Sequence, residues 1–239
     1  MKARNLILSV VASLGLALQG HATMISGSAL QTVLDDITVG TNSGVNVQTD
    51  QLVNDETWSI SAASGSVATL IIELAGFADT TSFGIYDVSN PTNFVELMDG
   101  PSGPGAQTLV NIMADGQVRV NFANTGTFFA NNLFGFYIDV PGQGARWHSE
   151  TDLNVDGVDH MVAFAGNDSD VVQLPGFAPG LWQSTEYILA FEDLFNGGDR
   201  DYTDFVVMVA SIVPVPEPGS LALLALALAG IGISRRRRA

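Results

Sequence analysis

The sequence contains no cysteine. That absence rules out disulfide staples, zinc–thiolate sites and cysteine nucleophiles together. Basic side chains are nearly as scarce where they would matter. Lysine and arginine number 9 against 25 acids, a net charge of −16. Lys2 and Arg4 stand at the start and Arg235, Arg236, Arg237 and Arg238 at the end. Between Thr23 and Val213 only Arg119, Arg146 and Arg200 face twenty-four of the 25 acids, a net of −21. A surface of that sign repels nucleic acid and anionic lipid and attracts divalent cations. Past His21 the histidines are His148 and His160. There is no G-x-S-x-G elbow, no H-E-x-x-H and no phosphate-cradling glycine loop leading into a helix. Nor does the stretch from Thr23 to Val213 carry a long apolar pattern of helical period.

The two ends are apolar. Lys2 and Arg4 precede an apolar run from Leu6 to Leu18, and Gly20-His21-Ala22 places small residues where a signal peptidase reads. Residues 1–22 are therefore expected to be a secretory signal peptide, with the exported chain starting at Thr23. Residues 214–239 form the other end. Pro214, Pro216 and Pro218 stop the last strand. The run from Leu221 to Ile233 is apolar, and four arginines close it on the cytoplasmic side. This order, with Pro216-Glu217-Pro218 as signature, resembles the PEP-CTERM sorting tail of Gram-negative bacteria. The resemblance implies processing by exosortase after export across the inner membrane. The apolar run, about 13 residues, would reach about 20 Å as a helix against a hydrocarbon core of about 30 Å. Such a short transmembrane helix suits transient retention before removal of the tail.

Short strand signals fill the middle. Residues 23–55 read as extended chain with one or two edge strands. Val67–Leu74 is apolar and β-branched; Ser82–Asp87 and Phe94–Met98 follow, divided at Ser89-Asn90-Pro91. Asp99–Ala106 is a loop punctuated by glycine and proline. Gly116–Phe122 and Phe134–Val140 alternate with period two. Met161–Ala165, Asp170–Leu174, Tyr187–Phe191 and Phe205–Val213 complete the set. Phe205–Val213 is apolar on both faces, which places it centrally. The expected fold is all-β, a β-sandwich of jelly-roll type, with residues 23–126 as an N-terminal β region and 127–213 as an acidic β domain.

Carboxylates gather where this strand pattern breaks. Asp152, Asn154, Asp156 and Asp159 alternate around Gly157, as oxygen ligands do in the first half of an EF-hand loop. The twelfth position is Ala163, so the bidentate glutamate of that motif is missing. The second stretch holds Glu192, Asp193, Asp199, Asp201 and Asp204 between two apolar strands. Five carboxylates within thirteen residues repel one another, and Arg200 offsets one of them. Calcium would neutralise the set, and Gly197-Gly198 let the chain curl around it.

The segment ILAFEDLFNGGDRDYTDFVVMV, with LNVDGVDHMVAF upstream, resembles the uncharacterised bacterial domain-of-unknown-function family 4114. The resemblance spans about Thr127 to Ile212. It implies acidic residues of catalytic or metal-binding character, and Thr203 stands where the family often carries Asn.

Three classes of function fit these residues. A hydrolase acting on extracellular polysaccharide would draw an acid–base pair from Glu150, Glu192 and Asp204, with His160 nearby. A carbohydrate-binding module would stack sugar on exposed rings, Trp147 and Trp182 first among Trp58, Tyr86, Tyr137 and Tyr202. A non-catalytic protein of the cell envelope or extracellular matrix would use calcium in place of disulfides. The third reading needs the fewest assumptions. Its partners would be signal peptidase and exosortase, and possible extracellular polysaccharide, with no nucleic acid.

Overall fold

The computed structural model describes residues 23–63, 66–73 and 80–216. Residues 1–22, expected to be a signal peptide, Glu217, Pro218, the apolar run Leu221–Ile233 and the arginine cluster lie outside them. Residues 23–215 form one compact unit. After helix α1 (Ala29–Ile37), the strands are β1 (Trp58–Ile60), β2 (Ser66–Glu73), β3 (Ser82–Asp87), β4 (Asn90–Met98), β5 (Gln107–Ile112), β6 (Gln117–Val120), β7 (Ala123–Phe128), β8 (Phe134–Val140), β9 (Ala145–His148), β10 (Met161–Ala165), β11 (Val171–Val172), β12 (Gly180–Leu181), β13 (Glu186–Phe191), β14 (Phe205–Ala210) and β15 (Ile212–Pro214).

Two antiparallel sheets make a sandwich. One runs β15-β1-β8-β3-β4 with β9 also on β8; the other runs β10-β13-β14-β2-β5-β6-β7. Strands from before and after residue 126 interleave in both, with β2 lying between β14 and β5. The all-β sandwich expected from the strand pattern is present, and β14 is central as its apolar run required.

Period-two alternation divides the second sheet's side chains between two cores. Met161, Ala163, Leu189, Phe191, Phe205, Val207 and Val209 face the first sheet. Val162, Phe164, Ile188, Ala190, Val206 and Met208 face the opposite way. Phe83 bridges the sheets, 5.5 Å from Phe136 in its own sheet and 5.4 Å from Phe205 in the other. Burial of each such ring contributes about 1.5–3 kcal/mol.

Residues 23–55 do not form the expected edge strands. Leu30, Val33, Leu34 and Ile37 repeat at i, i+3, i+4 and i+7 and are buried in the outer core by α1. At 9 residues, that helix is too short to stand out in the sequence, and its stability comes from the sheet it covers. Among the described residues no helix is long and apolar enough to cross a membrane.

The tryptophans take core positions. Trp147, expected as an exposed ring, lies on β9, where Ala145 and Trp147 point inward and Arg146 and His148 do not. Trp182 fills the outer core beside α1 and donates from Nε1 to the Glu186 carbonyl at 3.0 Å. Both are fully buried. Neither ring has a face free for a sugar, which corrects the expectation of stacking at Trp147 and Trp182.

Candidate metal centre

Strands β13 and β14 pair from Glu186↔Ala210 to Phe191↔Phe205. The next residues, Glu192 and Asp204, therefore leave the sheet side by side, anchored by two core phenylalanines. The connection between them turns through a 3-10 segment, Phe195–Gly197. Positive φ recurs at Asn196, Gly197, Gly198, Arg200 and Tyr202, which coils the loop and brings its side chains back over the strand ends.

Among the described residues the carboxylates converge in two overlapping groups. Glu192 joins Asp199 and Asp201 in one, and Asp193 and Asp204 in the other; within each group the donor atoms lie within 4.8 Å of one another. All five acids expected from this loop are thus brought together. Backbone amides orient them. Asp193 N donates to Asp204 Oδ2 at 2.9 Å and Arg200 N to Glu192 Oε2 at 3.1 Å. Thr203 donates from both its amide and its hydroxyl to Asp201 Oδ1. Gly198 is required here: a Cβ would lie 2.1 Å from Glu192 Oε1, at a φ of +42° that side chains avoid.

The loop is electrostatically unfinished. Glu192 and Asp193 are 1% and 2% exposed, and Asp193 Oδ2 is buried with no hydrogen-bond partner. A buried carboxylate oxygen without a donor costs about 1–3 kcal/mol or more. Burial, then Asp204, then Asp199 and Asp201 push the Glu192 carboxyl up to about 9. Burial followed by Asp204 and Asp199 push Asp193 up to about 7. An all-oxygen set of this charge suits a hard cation such as calcium, and holds no nitrogen or sulfur donor that would favour a softer metal.

Residues 214–238 match the PEP-CTERM protein-sorting motif. Residues 126–211 match DUF4114, a domain of unknown function. The sorting match indicates export, processing by exosortase and delivery to the cell surface or envelope. Of its signature, Pro216 is exposed at the end of the described residues. The DUF4114 match contains β8 to β14 and both acidic loops. No curated protein and no solved structure matches the chain significantly.

Within the DUF4114 segment the first acidic loop has a different role from the one its spacing suggested. Its oxygens do not converge. Asn154 Oδ1 accepts from His148 N at 2.7 Å, while its Nδ2 donates to the carbonyls of His148 and Val158. Asp156 Oδ2 bonds His160 Nε2 at 3.0 Å and Asn196 N at 2.8 Å. Asp159 accepts from Met161 N and the Thr23 hydroxyl. Asp152 is exposed in a 3-10 turn, Thr151–Leu153. These four side chains shape the loop and brace its neighbour; they are not grouped as ligands. Glu150 is likewise engaged apart from both carboxylate groups, accepting from Tyr86 Oη at 2.9 Å.

Two supporting residues carried no sequence signal for this role. Trp147 Nε1 donates to the Asp193 carbonyl at 2.7 Å. His160 Nδ1 bonds the Glu192 carbonyl at 2.8 Å and its ring stacks on Trp147 at 3.8 Å. Phe195 closes the stack edge-on at 4.8 Å. Together they fix the backbone from which the two buried carboxylates project. Trp147→Phe removes the donor to the Asp193 carbonyl and part of a fully buried ring. By analogy with outer-shell partners elsewhere, affinity for a cation at this loop should fall about 10–100-fold, and the metal-free melting midpoint should fall too, because a buried cavity and an unpaired carbonyl are left behind. Paired calorimetric titrations of variant and parent would measure this.

Proposed function

We propose that this is an exported protein of a Gram-negative cell envelope or extracellular matrix, in which calcium bound at Glu192–Asp204 holds the sandwich rigid for a role in surface structure or adhesion. The observation that carries the reading is Asp193 Oδ2, buried and unpartnered among carboxylates that already repel one another. Calcium would supply the missing charge, and the absence of cysteine leaves such a staple without a disulfide to duplicate it. The enclosure of Glu192 and Asp193 favours this over polysaccharide hydrolysis, where paired acids must face a substrate across an open cleft. Calorimetric titration of the exported protein with calcium, after exhaustive chelation, tests the reading. Saturable binding that is lost in a Glu192→Gln variant is expected; the absence of binding heat and of any competing terbium luminescence would overturn it.

A further inference from the structure

A second group of acids lies where the exported chain is expected to begin. Thr23 is half-buried. Its hydroxyl donates to Asp159 Oδ2, and its carbonyl accepts from Gln51 Nε2 at 2.9 Å. Ile25, two residues on, is buried in the outer core, and Ser26 N donates to the Arg200 carbonyl at 2.7 Å. The chain is thus tied down from its first exported residue, and residues 23–215 form the compact unit. Burial and then the Asp159 charge push the Asp55 carboxyl well above the usual range. Burial raises Asp159 as well, and Glu56 adds to the repulsion at both.

The domain's cations leave the Asp159 carboxyl raised: His160 offsets part of its shift without cancelling it, and Arg200 is exposed. Arg146 is paired with Asp139 and Arg119 bonds Gln117. His160 has both ring nitrogens bonded, to Asp156 and to the Glu192 carbonyl. A threonine's own nitrogen lies about 3–4 Å from its Oγ1 by covalent geometry. The nitrogen of Thr23 is therefore within about 7 Å of the Asp159 carboxylate that accepts from that hydroxyl.

We infer that Asp159 is the seat of the α-ammonium group created when signal peptidase cuts between Ala22 and Thr23. Hydrolysis consumes one water: the hydroxyl stays on the Ala22 carboxyl of the removed peptide, and the Thr23 nitrogen takes up protons to become an ammonium. In the uncut precursor the same nitrogen is an uncharged amide. Processing therefore delivers a fourth positive charge to a domain with three basic residues, at a place where carboxylates already crowd. Through Ser26 and Arg200, whose amide donates to Glu192 Oε2, the seated terminus also adjoins the metal loop. This inference rests on the export reading and not on calcium, so it is tested at constant calcium.

The experiment compares the exported chain beginning at Thr23 with the same chain keeping Ala22, each with and without Asp159→Asn. Urea unfolding gives the four stabilities. The Thr23 form should have an unfolding constant smaller by about tenfold or more, the effect of a shift of about one pKa unit, and Asp159→Asn should remove most of that difference. Equal stability of the two parent forms, or a difference that Asp159→Asn leaves intact, would overturn the inference. If Asp159→Asn does not fold, NMR titration of the Thr23 amine in the parent decides. An amine pKa raised clearly above the ordinary 7.7–8.0, roughly, supports the seat, and an ordinary value overturns it. N-terminal sequencing of the exported protein checks the premise separately: a start other than Thr23 defeats the inference and leaves the calcium reading untouched.

Discussion

Asp193→Asn is expected to remove most of the rise in melting midpoint expected with calcium, and to raise the midpoint in chelator. The two effects have opposite signs for one reason. Without a cation, Asp193 Oδ2 is a buried oxygen without a donor, facing Asp204 and Asp199. Exchanging the carboxylate for an amide of the same shape removes that repulsion and supplies a donor for the neighbouring oxygens. With calcium present the same exchange deletes a ligand. At a calcium concentration about a hundredfold above the dissociation constant, the parent gains roughly 2.7 kcal/mol. For a domain of this size that corresponds to roughly 5–10 °C. The variant should show less than about a quarter of that gain. Were Asp193 merely a structural residue, the variant would melt lower in both buffers, and differential scanning calorimetry separates the cases.

The second large effect is on pH dependence. The Glu192 carboxyl is pushed up to about 9 and that of Asp193 up to about 7 by burial and by neighbouring carboxylates. Both lie above their unfolded values of about 4. A group whose pKa rises on folding binds its proton more tightly in the folded state, so its stabilising contribution is fully present below about pH 4. That contribution is lost as pH climbs through about 7 and then 9. In chelator, the midpoint should therefore fall steadily between about pH 5 and 9. Calcium competes with those protons, so its affinity should increase over the same window and the calcium increment should widen. Melts at five pH values in calcium and in chelator would show diverging curves. Parallel curves would mean that calcium does not replace protons on these acids.

How far the sequence disclosed this architecture depends on the range of each signal. Strands β10 and β13 were legible because apolar and β-branched runs are local, and both faces of β14 are covered as its composition demanded. The hairpin loop was legible for a related reason: Glu192 and Asp204 flank two apolar strands joined by a short connection, which pair with each other and bring their acids together. The first acidic loop misled because alternating oxygens are equally suited to bonding the loop's own amides. Asp156 and Asp159 do this, and Asn154 Oδ1 accepts from the His148 amide. Spacing alone does not distinguish the two uses. Trp147 was misplaced because β9 is 4 residues long between loops, too short for its alternation to announce an inward face. Its bond to Asp193 spans forty-six positions. Nothing local could have shown it. Helix α1 escaped notice for a similar reason, since a single apolar stripe of two turns gains its meaning from the sheet beneath it.

The most direct measurement of the central claim is the thermal unfolding midpoint of the exported protein at neutral pH, in calcium and then in EGTA, with magnesium as a comparison. A calcium-bound loop predicts a midpoint several degrees higher in calcium than in EGTA. Magnesium should give a smaller rise, because a loop of crowded, unequally exposed carboxylates does not offer the rigid octahedron that ion prefers. Identical midpoints in calcium and EGTA, at calcium concentrations up to the millimolar range typical of extracellular modules, would contradict the account.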